Sequence, residues 1–384
     1  MVPRKNTVLW RSDLQVPEPS ATAHITDVKN VSSYSWIDTP RPTIVVPGTP
    51  PLWSPPATDV QLPKDSGLYS IEENAIRLPG SPMAPMLRAI FTTNPSFDVR
   101  SIDVISDRHN IRKLLTFIDP GSDRQNSEQF TIRLELVGHT LLLCRHEKVM
   151  TRYIGRNQYL GYGFEFMKAY TASQIDDSAG HFRIVSYRFC GLNFLICHEP
   201  DGFVSPETES VEDIAHEGVL DRPKSPTRSR NERPPSSSTV DPSLKNVIVR
   251  HKGETVPLES IFDIKTRTRG KGLRFRHIAP QLWLSQTSKL VRAFHEEGRF
   301  QKPRVEDVED KLKKWELNNE ENLRKLGALI GKIITVMKQK DRGGRGRGGR
   351  GILRFDIKKG CIMIVRDMDE SGMLPEDLYS KWDE

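Results

Sequence analysis

The stretch LESIFDIKTRTRG, Leu258–Gly270, decides how the fold is interpreted. Its apolar residues predict a buried strand, yet Asp263 and Lys265 stand among them. Because side chains alternate across a strand, Asp263 and Lys265 share one face while Ile264 points to the other. Two charged groups on an inner face cost free energy unless something pairs them. A mutual salt bridge is the simplest explanation of an isolated D-x-K, and a functional site is the alternative.

Two other acidic positions favour the functional site. The stretch HEPDG places Glu199 and Asp201 two residues apart at the end of an earlier apolar strand. Glu165 lies in GYGFEFMKAY, which predicts a helix. Several carboxylates near one lysine suit Mg²⁺ or Mn²⁺, which prefer oxygen ligands. Such a metal holds a phosphate oxygen and lowers the pKa of a bound water, while a lysine neutralises charge that develops on phosphorus.

In this order the motifs resemble the PD-(D/E)XK nuclease core, and within it the DXO-type decapping exonucleases. GYGFE, ending at Glu165, matches the family's G-apolar-x-apolar-E motif, and EPD, Glu199–Asp201, matches its E-apolar-D motif. DIK, Asp263–Lys265, matches E-apolar-K with aspartate in place of glutamate. A family glutamine on the next helix corresponds to Gln281, and an upstream arginine that opens a helix corresponds to Arg108. The resemblance spans roughly residues 103–367.

The resemblance implies a mixed α/β fold, with a PD-(D/E)XK-like core of mixed sheets flanked by helices. It implies a hydrolase that uses Mg²⁺ or Mn²⁺ to remove caps from RNA and to degrade RNA from its 5′ end. The implied partners are the 5′ end of RNA and a 5′–3′ exoribonuclease protein. The implied metal ligands are Glu165, Asp201, Asp263 and the Ile264 carbonyl. The implied groups that act on water and phosphate are Lys265, Gln281 and Glu199, and Arg108 is implied to clamp the substrate.

Departures from the family's motifs leave a second class of function open. Pro200 stands where an apolar strand residue is usual, and Asp263 is shorter than glutamate, which retracts a ligand by about 1 Å. An inactive RNA-binding relative is therefore the alternative. A DNA nuclease is a further one, because a metal site alone does not distinguish the sugars.

The proline-rich opening also resembles fungal proteins that are often labelled geranylgeranyl pyrophosphate synthetase. That label implies an all-helical protein with two DDxxD motifs, whereas this chain has only the pair Asp176 and Asp177 and no second motif. Prenyl transfer is therefore rejected.

Composition divides the chain into segments. Residues 1–100 are proline-rich and predict a largely extended or disordered region, in which Arg41–Pro56 is excluded from a helix or inner strand because proline lacks the N–H donor. Residues 101–204 and 246–340 predict two parts of the nuclease core, separated by a disordered insert at 205–245. Residues 341–351 form an Arg-Gly loop, and 352–384 a final hairpin and tail.

Periodicity within the core predicts particular elements. Two-residue alternation predicts hairpins over 130–147 and 182–199 and a final one that turns at Lys359 and Gly360. Helical spacing predicts helices after a cap at Ser106 and over 307–340, and a helix followed by a strand over 279–296.

Charge and cysteine usage limit the partners and the compartment. The 384 residues carry a formal charge of +7 with a pI near 9.1, which favours an anionic partner. The four cysteines show no CxxC pair, so reduced thiols are expected. No run approaches the roughly 18 apolar residues of a membrane span, so a soluble protein of the nucleus or cytoplasm is expected, neither secreted nor bound to membrane. Predicted RNA contacts lie in the Arg-Gly loop: Arg342, Arg345, Arg347 and Arg350.

Overall fold

A computed structural model describes residues 6–14, 23–121, 128–155, 157–205, 246–341, 349–367, 369 and 372–383. Residues 206–245 of the predicted insert and 342–348 of the predicted Arg-Gly loop lie outside this description.

The strands are numbered in chain order: β1 Thr7–Trp10, β2 Thr26–Ile37, β3 Thr43–Pro47, β4 Leu52–Trp53, β5 Gly67–Ser70, β6 Val104–Asp107, β7 Thr131–Val137, β8 Thr140–His146, β9 Thr151–Ile154, β10 Thr171–Ala172, β11 Ser178–Phe189, β12 Leu192–His198, β13 Gly202–Phe203, β14 Ile248–Lys252, β15 Ile261–Thr268, β16 Lys289–Glu296, β17 Arg299–Phe300, β18 Arg304–Asp307, β19 Arg350–Asp356 and β20 Cys361–Arg366. The α-helices are α1 Glu73–Arg77, α2 Ala84–Thr93, α3 Arg108–Ile118, α4 Gly163–Tyr170, α5 Ala279–Ser285, α6 Glu309–Asn318, α7 Glu320–Asp341 and α8 Glu376–Tyr379. Single 3₁₀ turns occupy Arg11–Asp13, Val99–Ser101, Leu258–Ser260, Phe275–His277 and Ser380–Trp382.

Two sheets organise the molecule. The larger has the order β1-β20-β19-β7-β8-β6-β12-β11-β2-β3-β14, and the smaller has the order β10-β4-β13-β15-β16-β17, with β18 also paired to β16. Most neighbours are antiparallel, but the pairs β6–β8, β6–β12, β3–β14, β4–β13 and β15–β16 are parallel. Strands β5 and β9 form a separate ribbon. The prediction of a mixed α/β fold with helices flanking mixed sheets is confirmed.

Each face of the sheets has its own apolar core. On one face of the large sheet, strand residues such as Leu134 and Ile196 pack with helix residues such as Leu114 and Ile330. The opposite face packs against α2. The small sheet packs against α4, and residues that share this core include Phe166, Tyr170, Phe262, Ile264 and Val291.

The first hundred residues contain more regular structure than the sequence predicts. The 12-residue strand β2 pairs with β11 and β3, and α2 covers its sheet. Strand β3 lies between β2 and β14, so the prediction that Arg41–Pro56 holds no inner strand is wrong. The physical reason is position: Pro42 precedes β3 and Pro47 ends it, so the residues between them keep their N–H donors.

The predicted hairpins and helices of the core are confirmed with one correction. The hairpins are β7–β8, β11–β12 and β19–β20, and the predicted helices are α3, α5, α6 and α7. Helix α3 is capped by Asp107, whose side chain accepts a hydrogen bond from the Asn110 N–H. Ser106, the predicted cap, belongs to β6 instead. All four cysteines are free.

Within the described residues, no helix has both the length and the apolar character to cross a membrane.

Candidate active site

Strand β15 arranges the residues of the D-x-K motif as the alternation predicts. Ile264 packs in the core of the small sheet, so Asp263 and Lys265 point to the other face. Strand β13 pairs with β15 only at Ile261 and Phe262. Just beyond that pairing, the N–H of Ile264 donates to Asp201 Oδ2 at 2.6 Å, which fixes Asp201 beside the strand.

Asp263 is the most buried acid of the site, with 0% of its surface exposed. Its Oδ2 accepts hydrogen bonds from Gln281 Nε2 at 2.7 Å and Arg108 Nη1 at 3.1 Å. Its Oδ1 is also buried and has no hydrogen-bond partner within the described part of the chain. A buried polar atom without a hydrogen-bond partner lowers the stability of the fold by about 1–3 kcal/mol, so binding of a proton or a cation to this oxygen would be favourable.

The two aspartates share one electrostatic environment. Burial, followed by repulsion from Asp263, raises the pKa of Asp201 to about 6. Burial opposes ionisation of Asp263 too, but Arg108, Lys265 and the Gln281 amide outweigh it and lower the pKa of Asp263. Asp263 therefore ionises at lower pH than Asp201, and a further cation would favour the ionised form of both.

The two helices that carry Arg108 and Gln281 hold each other's side chains: Arg112, one turn after Arg108, contacts Gln281, and Ser285, one turn after Gln281, contacts Arg108. Gln281 Oε1 accepts from Arg112 Nη1 at 3.1 Å, so its amide is oriented at both ends. Arg108 also donates to Ser285 Oγ at 3.1 Å and to the Glu199 carbonyl at 3.3 Å. Sequence reasoning missed Arg112 and Ser285, although the first lies four residues after Arg108 and the second four after Gln281, the spacing of neighbours on one helix face.

Lys265 lies half-buried on the face that carries Asp263. Its positive charge lowers the pKa of both Asp201 and Asp263. No carboxylate among the described residues forms an ion pair with it, so the salt bridge that would explain an isolated D-x-K is absent there.

A pocket of 280 Å³ opens beside these groups, and its wall includes Glu199, Asp201, Gln281 and Arg108. The Glu199 side chain is exposed to the solvent in this pocket. Although the residue reaches solvent, the pocket wall desolvates its carboxyl group, and this desolvation, followed by the charges of Glu73 and Asp201, raises the pKa of Glu199 to about 8. Glu199 therefore lies within the candidate site, but farther towards solvent than Asp263.

Glu165 is not brought to the two aspartates. Its helix α4 packs on the Ile264 face of β15, and its carboxylate pairs with Lys168 at 2.6 Å. Asp65, which sequence reasoning also missed, accepts the Glu165 N–H at 3.0 Å. Across the residues that the structure describes, no three His, Cys, Asp or Glu side chains are grouped so as to hold a metal ion.

Arg350 differs from the other predicted RNA contacts. It begins β19 and donates from Nε to Glu135 Oε1 at 2.9 Å, and Glu135 is 1% exposed. This buried ion pair gives Arg350 a structural role, which contradicts its predicted place in a free loop. Arg342, Arg345 and Arg347 lie outside the described residues.

The chemistry of the site fits one divalent cation. Asp201 and Asp263 supply carboxylate oxygens, one of them buried without a partner. The N–H and C=O of a strand residue point to the same edge, so the Ile264 carbonyl faces the edge where its N–H meets Asp201. Two carboxylates, a carbonyl and water form an oxygen set that Mg²⁺ and Mn²⁺ accept. The carboxylate of Glu165 is paired with Lys168 and is not part of this set.

Several solved structures share the fold of this protein. Rai1 of S. pombe is 11% identical with a TM-score of 0.57, over 95% of this chain and 100% of that chain. Candida albicans Rai1 in complex with pU5-Mn²⁺ is 12% identical with a TM-score of 0.61, over 99% of both chains. Scheffersomyces stipitis Rai1 in complex with (3′-NADP)+ and calcium ion is 11% identical with a TM-score of 0.56, over 100% of this chain and 99% of that chain.

Rai1 proteins are relatives of the DXO-type decapping exonucleases, so the resemblance drawn from the motifs is confirmed at the level of the fold. The chain itself belongs to the family described as Domain of unknown function (DUF8563), whose model matches residues 11–379. No curated protein matches the sequence.

Proposed function

We propose that this protein is a divalent-metal-dependent hydrolase that cuts phosphodiester bonds at the 5′ end of RNA. The observation that carries the proposal is the pair of carboxylates Asp201 and Asp263, which interact with the charge of Lys265 and include a buried oxygen with no hydrogen-bond partner among the described residues. The Candida albicans Rai1 complex with pU5-Mn²⁺ supports the choice of ligand and metal.

Asp201, Asp263 and the Ile264 carbonyl would hold the metal. When bound, a Mg²⁺ or Mn²⁺ ion supplies Lewis acidity at a phosphate oxygen and lowers the pKa of a bound water. Lys265 would stabilise the negative charge that develops on the phosphoryl oxygens. Gln281 would act chiefly as a positioning residue, because its amide already bridges Asp263 and Arg112.

Arg108 has two roles in this proposal. Without substrate, it neutralises Asp263 through the 3.1 Å ion pair. With RNA bound, the same guanidinium would turn to a phosphate near the 5′ end, since the pocket that it lines opens towards solvent. Asp263 would tolerate the loss of Arg108 only because the bound metal ion replaces the guanidinium as the neighbouring cation, while the phosphate takes over the charge-assisted hydrogen bonds of Arg108.

The pocket itself suits a terminal nucleotide. Its walls carry the apolar side chains of Phe182 and Met83, which favour a base, and the cation Arg112, which favours phosphate, while Arg145 is already paired with Glu72 and Glu147. An exoribonuclease partner and a nuclear or cytoplasmic location belong to the same proposal.

A panel of substrates tests the proposal. With Mg²⁺ or Mn²⁺, the protein should release 5′-terminal nucleotides from 5′-monophosphate RNA and cap dinucleotides from RNA with an unmethylated cap. A circular RNA and a DNA duplex should resist, and Ca²⁺ should bind without supporting turnover because its looser coordination positions water poorly. Equal cutting of the circle or the duplex would contradict specificity for RNA ends.

A specific observation also favours the non-catalytic alternative. Arg108 forms an ion pair with Asp263, and Lys168 forms one with Glu165, so cations of the protein already neutralise two of the predicted metal ligands. An inactive RNA-binding protein would show this arrangement permanently. RNA binding that is unaffected by EDTA, with no cleavage in any metal, would establish that alternative.

A further inference from the structure

The face of β15 that carries Asp263 and Lys265 continues as a row of cations. Arg267 and Arg269 follow at two-residue intervals, so their side chains point to the same face. Exposure rises along the row: Asp263 is fully buried, Lys265 is half-buried, and both arginines are exposed. Positively charged side chains therefore line strand β15 from the buried acids to the protein surface.

Among the residues that the structure describes, no carboxylate neutralises the first two cations of this row. Within the part of the chain that the structure describes, neither Lys265 nor Arg267 forms an ion pair. Arg269 pairs with Glu296 at 3.2 Å, but both side chains are more than half exposed, and such pairs contribute little in water. By contrast, Arg108 and Arg145, which line the pocket, each pair with a carboxylate. The row is thus available to an external anion.

An aromatic side chain lies beside the row. In the parallel register of β15 and β16, Arg267 stands opposite Phe294 and Lys265 opposite Arg292, so all four side chains share one face. Phe294 is half-buried and leaves part of its ring open to solvent. Cations that follow a backbone and an aromatic ring beside them are the two elements with which proteins hold single-stranded nucleic acid.

We propose that the β15 cation row, defined as Lys265, Arg267 and Arg269, holds the phosphates of the RNA strand immediately downstream of the scissile bond, with a base over Phe294. The inference rests on the proposed function, because it takes Asp201 and Asp263 as the point of cleavage. Side chains two residues apart on a strand are about 6.6 Å apart, which is close to the spacing of successive phosphates in an extended single strand. The spacing of the row therefore allows each cation to contact one phosphate.

The direction of the strand follows from the two ends of the row. The pocket beside Glu199 would take the 5′-terminal nucleotide, whereas no residue of the row lines that pocket and the row becomes more exposed with distance from the acids. An RNA chain of any length can continue past Arg269, which is what stepwise removal of nucleotides from one end requires.

The test is the dependence of binding on RNA length, measured in EDTA so that no cleavage occurs. The probes are 5′-monophosphorylated oligouridylates from two to eight nucleotides. For the wild type, affinity should rise as the RNA lengthens to about five nucleotides. The double variant Arg267→Gln/Arg269→Gln should lose most of that rise, on the order of 10-fold for the longest RNA, and its slope of log K against log salt should be lower by about 1.4, because two phosphate contacts are removed.

A matched control has the same loss of charge elsewhere. The double variant Arg188→Gln/Arg354→Gln changes two exposed arginines on β11 and β19 and should keep the length dependence of the wild type. Equal losses in both variants would overturn the inference, because general charge would then explain binding. An equal loss of affinity for the dinucleotide and the longest RNA would also overturn it, because the row would then hold the 5′ end itself. Cleavage by the wild type in Mn²⁺ is recorded separately, so a failure of the proposed function is distinguishable.

Discussion

Arg108→Ala should destabilise the protein strongly, because it removes the only full positive charge that is hydrogen-bonded to Asp263 among the described residues. Arg108 makes contacts with Asp263, Ser285 and the Glu199 carbonyl at 3.1, 3.1 and 3.3 Å. Asp263 is fully buried, and one of its oxygens already lacks a partner. Breaking a buried ion pair by removing one member costs about 3–5 kcal/mol, and we expect the lower end because Gln281 still donates to Asp263.

The assay is urea unfolding in EDTA, with Arg100→Ala as the matched control. Arg100 pairs with Asp98 at 2.9 Å, but both side chains are about half exposed, so its loss should cost at most about 1 kcal/mol. Addition of Mn²⁺ should then stabilise Arg108→Ala more than the wild type, because the ion replaces the lost charge without competing with Arg108. At a hundred times its dissociation constant, the ion contributes about 2.7 kcal/mol. A loss no larger than that of Arg100→Ala, or equal effects of Mn²⁺ on both proteins, would refute this reasoning.

Three other predictions follow from separate features. Burial, followed by the charge of Asp107, raises the pKa of Glu72 to about 7 from its ordinary 4.5. The unfolded chain therefore loses this proton at lower pH than the folded protein, and the free energy of unfolding falls as the pH rises from 4.5 to about 7. Glu72→Gln should remove about 3 kcal/mol of this fall, measured by unfolding at pH 5 and pH 8. Gly327→Ala in α7 would place a Cβ 2.6 Å from Cys190 and should cost about 1–3 kcal/mol, whereas Gly331→Ala in the same helix meets nothing within 4 Å and should stabilise by up to about 1 kcal/mol; thermal unfolding of both variants checks this contrast. Deletion of residues 342–348 removes Arg342, Arg345 and Arg347, so the slope of log K for RNA against log salt should flatten by up to about 2, and an unchanged slope would make this segment a spacer.

Local patterns in the sequence were sufficient for the elements of the core. The hairpins follow from two-residue alternation, and the shared face of Asp263 and Lys265 follows from the same period. Strand β3 could not be foreseen in this way, because its pairing with β14 joins residues about two hundred positions apart. Long-range pairing of this kind leaves no periodic signal in a five-residue segment that ends in proline.

The site was predictable in part for a similar reason. Asp201, Asp263, Gln281 and Arg108 meet because short motifs fix each of them close to one end of a strand or to the start of a helix. Glu165 matches its motif equally well, but the packing of α4 against the Ile264 face and the nearby Lys168 decide where its carboxylate lies. Arg350 shows the same limit, since only the fold brings Glu135 to it.

The central claim is that Asp201, Asp263 and Lys265 perform metal-dependent cleavage at RNA 5′ ends. The most direct test is single-turnover cleavage of 5′-monophosphate RNA in Mn²⁺ by the wild type, Asp201→Ala, Lys265→Ala and Asp263→Glu, with RNA binding measured in parallel. We expect the wild type to release 5′ nucleotides, the two alanine variants to lose at least about 10²–10³-fold in rate while still binding RNA, and Asp263→Glu to remain active because it restores the residue usual in DXO-type enzymes. Cleavage by Asp201→Ala and Lys265→Ala at the rate of the wild type, or a wild type that binds RNA without cutting it, would contradict the claim.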